Sequence, residues 1–376
     1  MHPDLPLQLL GGLSPRRFLA DYWQKKPLLV RQAVPGFAGL LSRDDLFAAA
    51  RRDDVESRLI SRADGAWDLR RGPFAAKDFR RRQEPWTVLV QGLNLILPAA
   101  DALMRQFDFI PQARLDDVMV SWASDGGGVG PHFDSYDVFL LQGSGKRHWR
   151  IGAQRDRALV DGLPIRILKH FSPSREWTLE PGDMLYLPPQ YAHDGVAVGE
   201  CTTYSVGFRT SPTQELAENF LAFLQDRLDL SGRYADPGLA PAKHAAEISP
   251  DMVDQVAAML DRIRWDRGAV RDFLGEFLTE PKPHVFFDPP ERPLSRSRFV
   301  RMAAMRGLRL DLRTQFLFAG NRFYLNGEGL PAVAAADRAG LRRLADRREL
   351  PDLSGLGETG VDLLYDAYRN GFLEVK

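Results

Sequence analysis

The sequence predicts a mixed α+β chain: an antiparallel β barrel or sandwich followed by helices. Three observations predict it. At 376 residues with 44% hydrophobic side chains, the chain can hold two or three domains with real cores. Between about residues 86 and 210, short runs rich in β-branched and aromatic residues alternate with glycine- and proline-bearing turns. After residue 212 the apolar positions recur at helical spacing instead.

The elements follow in order. Residues 1 to about 90 read as a mixed, partly helical lead-in. Ser14-Pro15 opens a helix whose proline sits where a missing N–H costs nothing. Ser42 caps a second helix over 43–51, with Asp44 and Asp45 favoured in its first turn by the helix dipole. Strands are predicted at 118–122, 138–141, 147–151, 184–187 and 202–206, separated by turns such as Glu180-Pro181-Gly182-Asp183. Helices are predicted over 212–228, 249–263 and 269–278, with apolar stripes at Leu216, Phe220, Phe223, Leu224 and at Val253, Val256, Met259, Leu260. Beyond the prolines at 281–290 come a helix near 297–305, strands at 315–318 and 322–325, and helices near 337–348 and 358–371, an arrangement like a winged helix. The expected domains are 1–210 (core about 90–210), 211–282 and 283–376.

Composition narrows the function. Fifty basic and fifty acidic residues cancel, so no whole-chain field aims at nucleic acid, and direct nucleic-acid binding is not expected. The arginines at 296, 298, 301, 306, 309 and 313 read as a solvated face before a contact with RNA or an acidic neighbour. The single cysteine, Cys201, excludes an intrachain disulfide and a cysteine-rich zinc site, which fits a reducing cytoplasm. No basic region precedes an apolar stretch at the N-terminus, and no apolar run of about 18 residues exists, so neither a signal peptide nor a membrane span is expected.

The chemistry concentrates after a glycine run, at Pro131-His132-Phe133-Asp134. In a strand, residues two apart share a face, so an imidazole and a carboxylate would aim at one point. With one distant histidine they make a facial triad whose open positions suit Fe(II) and dioxygen. His148 falls on the wrong face of its strand, His170 in a connecting loop, and His244 and His284 in the helical region. His193, at the mouth of a new strand, is the best third ligand. In Lys146-Arg147-His148-Trp149-Arg150-Ile151, alternation puts Arg147 inward with Trp149 and Ile151. A buried guanidinium needs an anion, either a structural Asp or Glu or the far carboxylate of a 2-oxo acid. Asp125, at the site mouth, reads equally as a partner for a cationic substrate or as a solvated turn aspartate. One of Tyr136 and Asp137 is expected to line the site.

Several ordered motifs then resemble a known family. They are the run 126–139 just described, Gln142-Gly143 with Gly145-Lys146-Arg147 and Trp149-Arg150-Ile151-Gly152, Glu180-Pro181-Gly182-Asp183 with Leu185-Tyr186-Leu187-Pro188-Pro189, and Tyr204-Ser205-Val206-Gly207-Phe208-Arg209. Together they resemble the JmjC-type ribosomal oxygenases, whose bacterial member is a ribosomal protein arginine hydroxylase. The resemblance implies a cupin-type double-stranded β-helix, a helical dimerisation segment and a C-terminal winged helix. It implies Fe(II) on His132, Asp134 and His193, 2-oxoglutarate on Arg147, and O2 as oxidant. It implies a homodimer that hydroxylates an arginine of a large-subunit ribosomal protein; Asp125 and Tyr136, from their place beside the motif, are taken as the substrate side. Eukaryotic members act on histidine, which stands as the alternative beside a non-catalytic peptide-binding cupin. Lys146 departs from the family, which often has a second arginine there.

Overall fold

The computed structural model of the chain describes residues 2–80 and 84–376. The N-terminal half carries β1 (Leu28–Val30), β2 (Ser57–Ala63), β3 (Ala66–Arg71), β4 (Trp86–Val90), β5 (Leu115–Ala123), β6 (Val138–Gln142), β7 (Lys146–Gly152), β8 (Arg175–Leu179), β9 (Met184–Leu187), β10 (Ala192–Val198) and β11 (Cys201–Phe208). They form an eight-stranded sheet in the order β1-β9-β6-β11-β5-β4-β2-β3 and a three-stranded sheet β10-β7-β8. The pairings are antiparallel throughout.

The strands in the middle are apolar on both faces because both faces are covered. In β6, Phe139 and Leu141 join Phe18, Phe107, Tyr186 and Phe208 under the helices α1 (Pro15–Asp21) and α3 (Pro98–Arg105). Val138 and Leu140 point the other way, onto Trp149, Ile151 and Leu179 of the small sheet. The predicted alternation of β7 holds: Arg147, Trp149 and Ile151 are buried and Lys146 is exposed.

Two expectations need correction. The mixed lead-in supplies four of the eight strands of the large sheet, β1 to β4, where the sequence reading locates only helices. The arginines at 58, 62, 70 and 71 interrupt the apolar pattern of β2 and β3, and neither periodicity wins in so short a run. The helix α2 (Arg43–Ala49) does begin at Ser42, with a full capping box closed by Asp45. Second, His132 and Asp134 do not share a regular strand. His132 forms a single bridge to His193 and the chain then leaves the ladder.

The rest of the chain holds α4 (Thr213–Gln225), α5 (Pro250–Leu260), α6 (Arg267–Thr279), α7 (Arg296–Arg306), α8 (Arg338–Arg347) and α9 (Glu358–Arg369). The short strands Leu308–Leu310, Glu349–Leu350 and Leu373–Val375 form one small sheet. Phe316–Ala319 and Arg322–Leu325 form the hairpin of a winged helix. The α4 stripe is spent inside the protomer: Phe220 and Phe223 pack on Phe273 of α6 at 5.3 and 5.7 Å between ring centroids. On its other side α6 meets the hairpin, with Gly275 under the Tyr324 ring and Asp272 accepting the Tyr324 hydroxyl at 2.5 Å. No residue of α5 is buried. No described helix is long and apolar enough to cross a membrane.

Candidate metal centre

The His132–His193 bridge is the frame of the site. Each residue donates its backbone N–H to the other's carbonyl, at 3.0 and 2.9 Å, which locks the two side chains on one side of the pair. Their rings lie 4.3 Å apart between centroids. The imidazole Nδ1 atoms face away, His132 to the Gly130 carbonyl at 2.8 Å and His193 to the Tyr191 carbonyl at 3.2 Å. A carbonyl only accepts, so each Nδ1 carries the proton and each Nε2 presents its lone pair inward. Both Nε2 atoms stand 3.5 Å from an Asp134 carboxylate oxygen. The three ligand atoms lie within 4.8 Å of one another.

Electrostatics match a cation at that point. Burial, together with the neighbouring His132, pushes His193 down to about 4, so it is neutral and free to ligate near pH 7. Burial works against charge on His132 too, but the Asp134 hydrogen bond and charge outweigh it and raise the group. Burial likewise opposes ionisation of Asp134, and the His132 contact outweighs it, holding the carboxyl below its usual range. Two imidazoles and one carboxylate without a thiolate are the donor set that Fe(II) oxygen chemistry uses, with open positions left over.

Arg147 lies on the same inner surface. It is 4% exposed, and its Nε and Nη2 are buried without a hydrogen-bond partner among the described residues. An internal Asp or Glu, the alternative open from sequence, does not take it. Lys146 points out and pairs with Glu180 at 2.6 Å. A buried guanidinium with free N–H groups is costly by itself and is suited to a carboxylate brought from outside.

Comparison with known proteins agrees with this geometry. A JmjC domain model matches residues 102–216, and a ROXA-like winged helix model matches residues 262–374. The chain is 34% identical over 325 residues to the ribosomal protein uL16 3-hydroxylase of Escherichia coli K12, covering 83% of this chain and 84% of that one. The chain belongs to the JmjC ribosomal oxygenase family. The crystal structure of E. coli YcfD superposes with a TM-score of 0.85 at 31% identity, covering 97% of this chain and 98% of that one. A YcfD structure in complex with cobalt and 2-oxoglutarate superposes with a TM-score of 0.81 at 31% identity, covering 96% of this chain and 97% of that one.

The substrate side of this family member divides the remaining candidates. Tyr136 lies within electrostatic reach of Asp134: burial, then the charges of Asp134 and Asp117, drive its phenol far up, so it stays protonated. Asp137 instead holds the fold, accepting from the Tyr186 hydroxyl at 2.6 Å and the Gln24 amide at 2.9 Å. Asp125 is exposed on a separate cleft lined by Phe47, Trp86, Trp122 and Glu200. Its Oδ1 accepts the Gly199 N–H of the β10–β11 turn at 2.7 Å.

Sequence reasoning missed Arg58. Arg58 of β2 donates to Gln91 Oε1 at 2.8 Å and reaches Met119 Sδ at 3.8 Å. It also lowers the carboxyl of Asp134 through its charge, after the two histidines. Arg58, Leu89 and Ser121 fall in register across β2, β4 and β5, so they share one face of the sheet. No periodic signal in the short β2 segment marked it beforehand. Asp117 was also missed. It is buried, accepts the Gly92 N–H at 3.1 Å, and is raised by burial and by Asp116.

Proposed function

We propose that this chain is a 2-oxoglutarate- and Fe(II)-dependent protein hydroxylase acting on an arginine side chain of a large-subunit ribosomal protein. The observation that carries the reading is the convergence of His132, Asp134 and His193 beside a buried, unpaired Arg147. The 34% identical relative named for hydroxylating a large-subunit protein supports the substrate class. The residue type is our inference.

His132, Asp134 and His193 would hold the iron, and Arg147 the far carboxylate of 2-oxoglutarate. When bound, iron with 2-oxoglutarate and O2 supplies the oxidant that places one oxygen atom on a substrate C–H bond, leaving succinate and carbon dioxide. The protein's own part is orientation and exclusion of water. The two Nδ1–H bonds fix the imidazoles, Arg147 fixes one end of the cosubstrate, and the apolar cluster of Val138, Leu140, Trp149 and Leu187 keeps the space dry. Tyr136, protonated and half-covered, presents an aromatic edge to the substrate side. Its ring and the Asp117 carboxyl both flank Gly207, which leaves room between them.

We also propose a homodimer through α5. Val253 and Leu260 are 55% and 58% exposed, and Met252 and Val256 lie beside them. A helix with no buried residue gains little from folding alone. In the winged helix, Arg296, Arg309 and Arg313 pair with Asp362, Glu374 and Asp288, so half of the six arginines of the basic stretch are neutralised, and direct nucleic-acid binding is not part of this reading. The setting we assign is cytoplasmic, where ribosomal proteins are available.

Intact-mass analysis of ribosomal proteins from cells with and without this chain tests the reading. The expected result is one large-subunit protein heavier by one oxygen atom, mapped to an arginine and lost on deletion. The same change on a histidine overturns the residue assignment. No change in any ribosomal protein overturns the substrate class.

A further inference from the structure

The paired strands β10 and β7 carry three successive rungs that face the site. His193 stands opposite Ile151, Gly195 opposite Trp149, and Ala197 opposite Arg147. The first rung belongs to the metal ligands and the last to the buried guanidinium. A small dicarboxylate joining them passes over the middle rung, so its side chains matter.

Trp149 is 5% exposed, and its indole Nε1 is buried without a hydrogen-bond partner among the described residues. An indole N–H only donates, and a buried one ordinarily finds an acceptor. The buried members of its cluster, Val138, Leu140, Leu185 and Leu187, have side chains that offer none, and the hydroxyls of Tyr136 and Tyr191, packed against the cluster, do not bond it. The orientation of the ring is set by Gly195. A methyl group there would lie 2.6 to 2.8 Å from Cζ3, Cη2 and Cε3, so only glycine lets the indole lie this close to β10. Those three carbons form the edge remote from Nε1, which turns the N–H away from β10. The ring centroid is 5.9 Å from that of His193, and the Arg147 guanidinium carbon is 5.8 Å from the indole. The indole thus lies between the ligand set and the guanidinium, and Trp149 and Arg147, neighbours on one face of β7, both keep buried N–H groups without a partner.

We propose that Trp149 is a second cosubstrate-binding residue, whose indole N–H donates to an oxygen of the bound 2-oxo acid. Arg147 supplies charge and Trp149 supplies a directional neutral donor, so together they recognise the acid at two points. Gly195 is the positioning residue that keeps the indole in place. This inference rests on the cosubstrate reading above, and its test separates the two.

The experiment is a titration of the zinc-loaded full chain with 2-oxoglutarate, followed by the ¹⁵N–¹H signals of its seven tryptophan side chains and by calorimetry. Loss of one signal in Trp149→Phe assigns the Trp149 resonance. The expected result is a downfield move of that signal on saturation, about tenfold weaker binding by Trp149→Phe, corresponding to about 1.4 kcal/mol, and a larger loss with Arg147→Met. If Arg147→Met weakens binding while the Trp149 signal stays still and Trp149→Phe binds like the parent, the tryptophan proposal fails alone. If Arg147→Met binds like the parent, the cosubstrate reading fails and the proposal with it. Should Trp149→Phe fold poorly, Gly195→Ala provides the second variant: it displaces the ring, moves the same indole signal in the free protein and weakens binding. Unchanged affinity in a folded Gly195→Ala with a displaced ring overturns the proposal.

Discussion

The barrel interior and helix α5 break opposite rules. Between the two sheets the protein buries donors it does not satisfy, on Arg147 and Trp149. On α5 it exposes apolar side chains it does not cover. Natural chains are locally consistent nearly everywhere, so such lapses mark places where something else completes the structure. The kind of lapse names the kind of partner. Free buried N–H groups beside three metal-ligand side chains call for a small anion. A free apolar stripe calls for another apolar surface. Helix α4 makes the contrast sharper, because its similar stripe is consumed by Phe273 of its own protomer.

Four changes would break or sharpen this comparison. The largest effect belongs to Asp134→Ala, which removes the carboxylate both imidazoles face. Substrate-coupled succinate production should vanish, while circular dichroism stays native; turnover at the parent rate would sink the triad.

Arg147→Met should act with opposite signs on function and stability. Losing charge-assisted hydrogen bonds to a carboxylate costs about 2–3 kcal/mol of cosubstrate binding, roughly 30- to 150-fold. The ligand-free protein should melt at the same temperature or higher, because an unpaired buried cation has been replaced by an apolar chain of similar volume. A lower melting temperature would mean that Arg147 has a structural partner after all.

On the exposed side, Val256→Glu should turn a sedimenting dimer into a monomer. Each protomer should change in stability by only about 0.5 kcal/mol, as for other surface positions. A parent chain that already sediments as a monomer at micromolar concentration would remove the dimer.

The smallest change concerns the seam beside α3. Asp108 is partly buried, its Oδ1 lacks a hydrogen-bond partner, and burial raises its carboxyl to about 6 despite Arg105 at 3.9 Å. The folded state therefore favours the protonated form. That stabilisation is complete below about pH 4, the unfolded value, and is lost as pH rises through about 6. Asp108→Asn, neutral at every pH, should be more stable than the parent by about 1–2 kcal/mol at pH 8, after allowance for partial exposure. The two should unfold alike near pH 3.5. Denaturant melts at both pH values measure it; a constant difference would assign the effect to packing.

The sequence by itself singled out the candidate centre. His132, Asp134 and His193 were legible as a set because metal ligation restricts residue types, the alternatives His148, His170, His244 and His284 could be set aside by position, and the structure brings the three within 4.8 Å of one another. The inward direction of Arg147 followed from period-two alternation along β7. Only the tertiary structure decided how the ligands meet. The expected shared strand is a reciprocal bridge between His132 and His193, because three side chains must converge across two segments and a regular ladder would hold the His132 segment flat. In the lead-in, β1 was illegible because its partner β9 lies far along the chain, and the local β2–β3 hairpin because its arginines mask alternation; Arg58, whose charge reaches Asp134, was overlooked that way. Likewise, α4 and α5 carry similar stripes, and nothing local says which one a protomer buries. That choice depends on where α6 lands, a long-range packing outcome that no window of sequence contains.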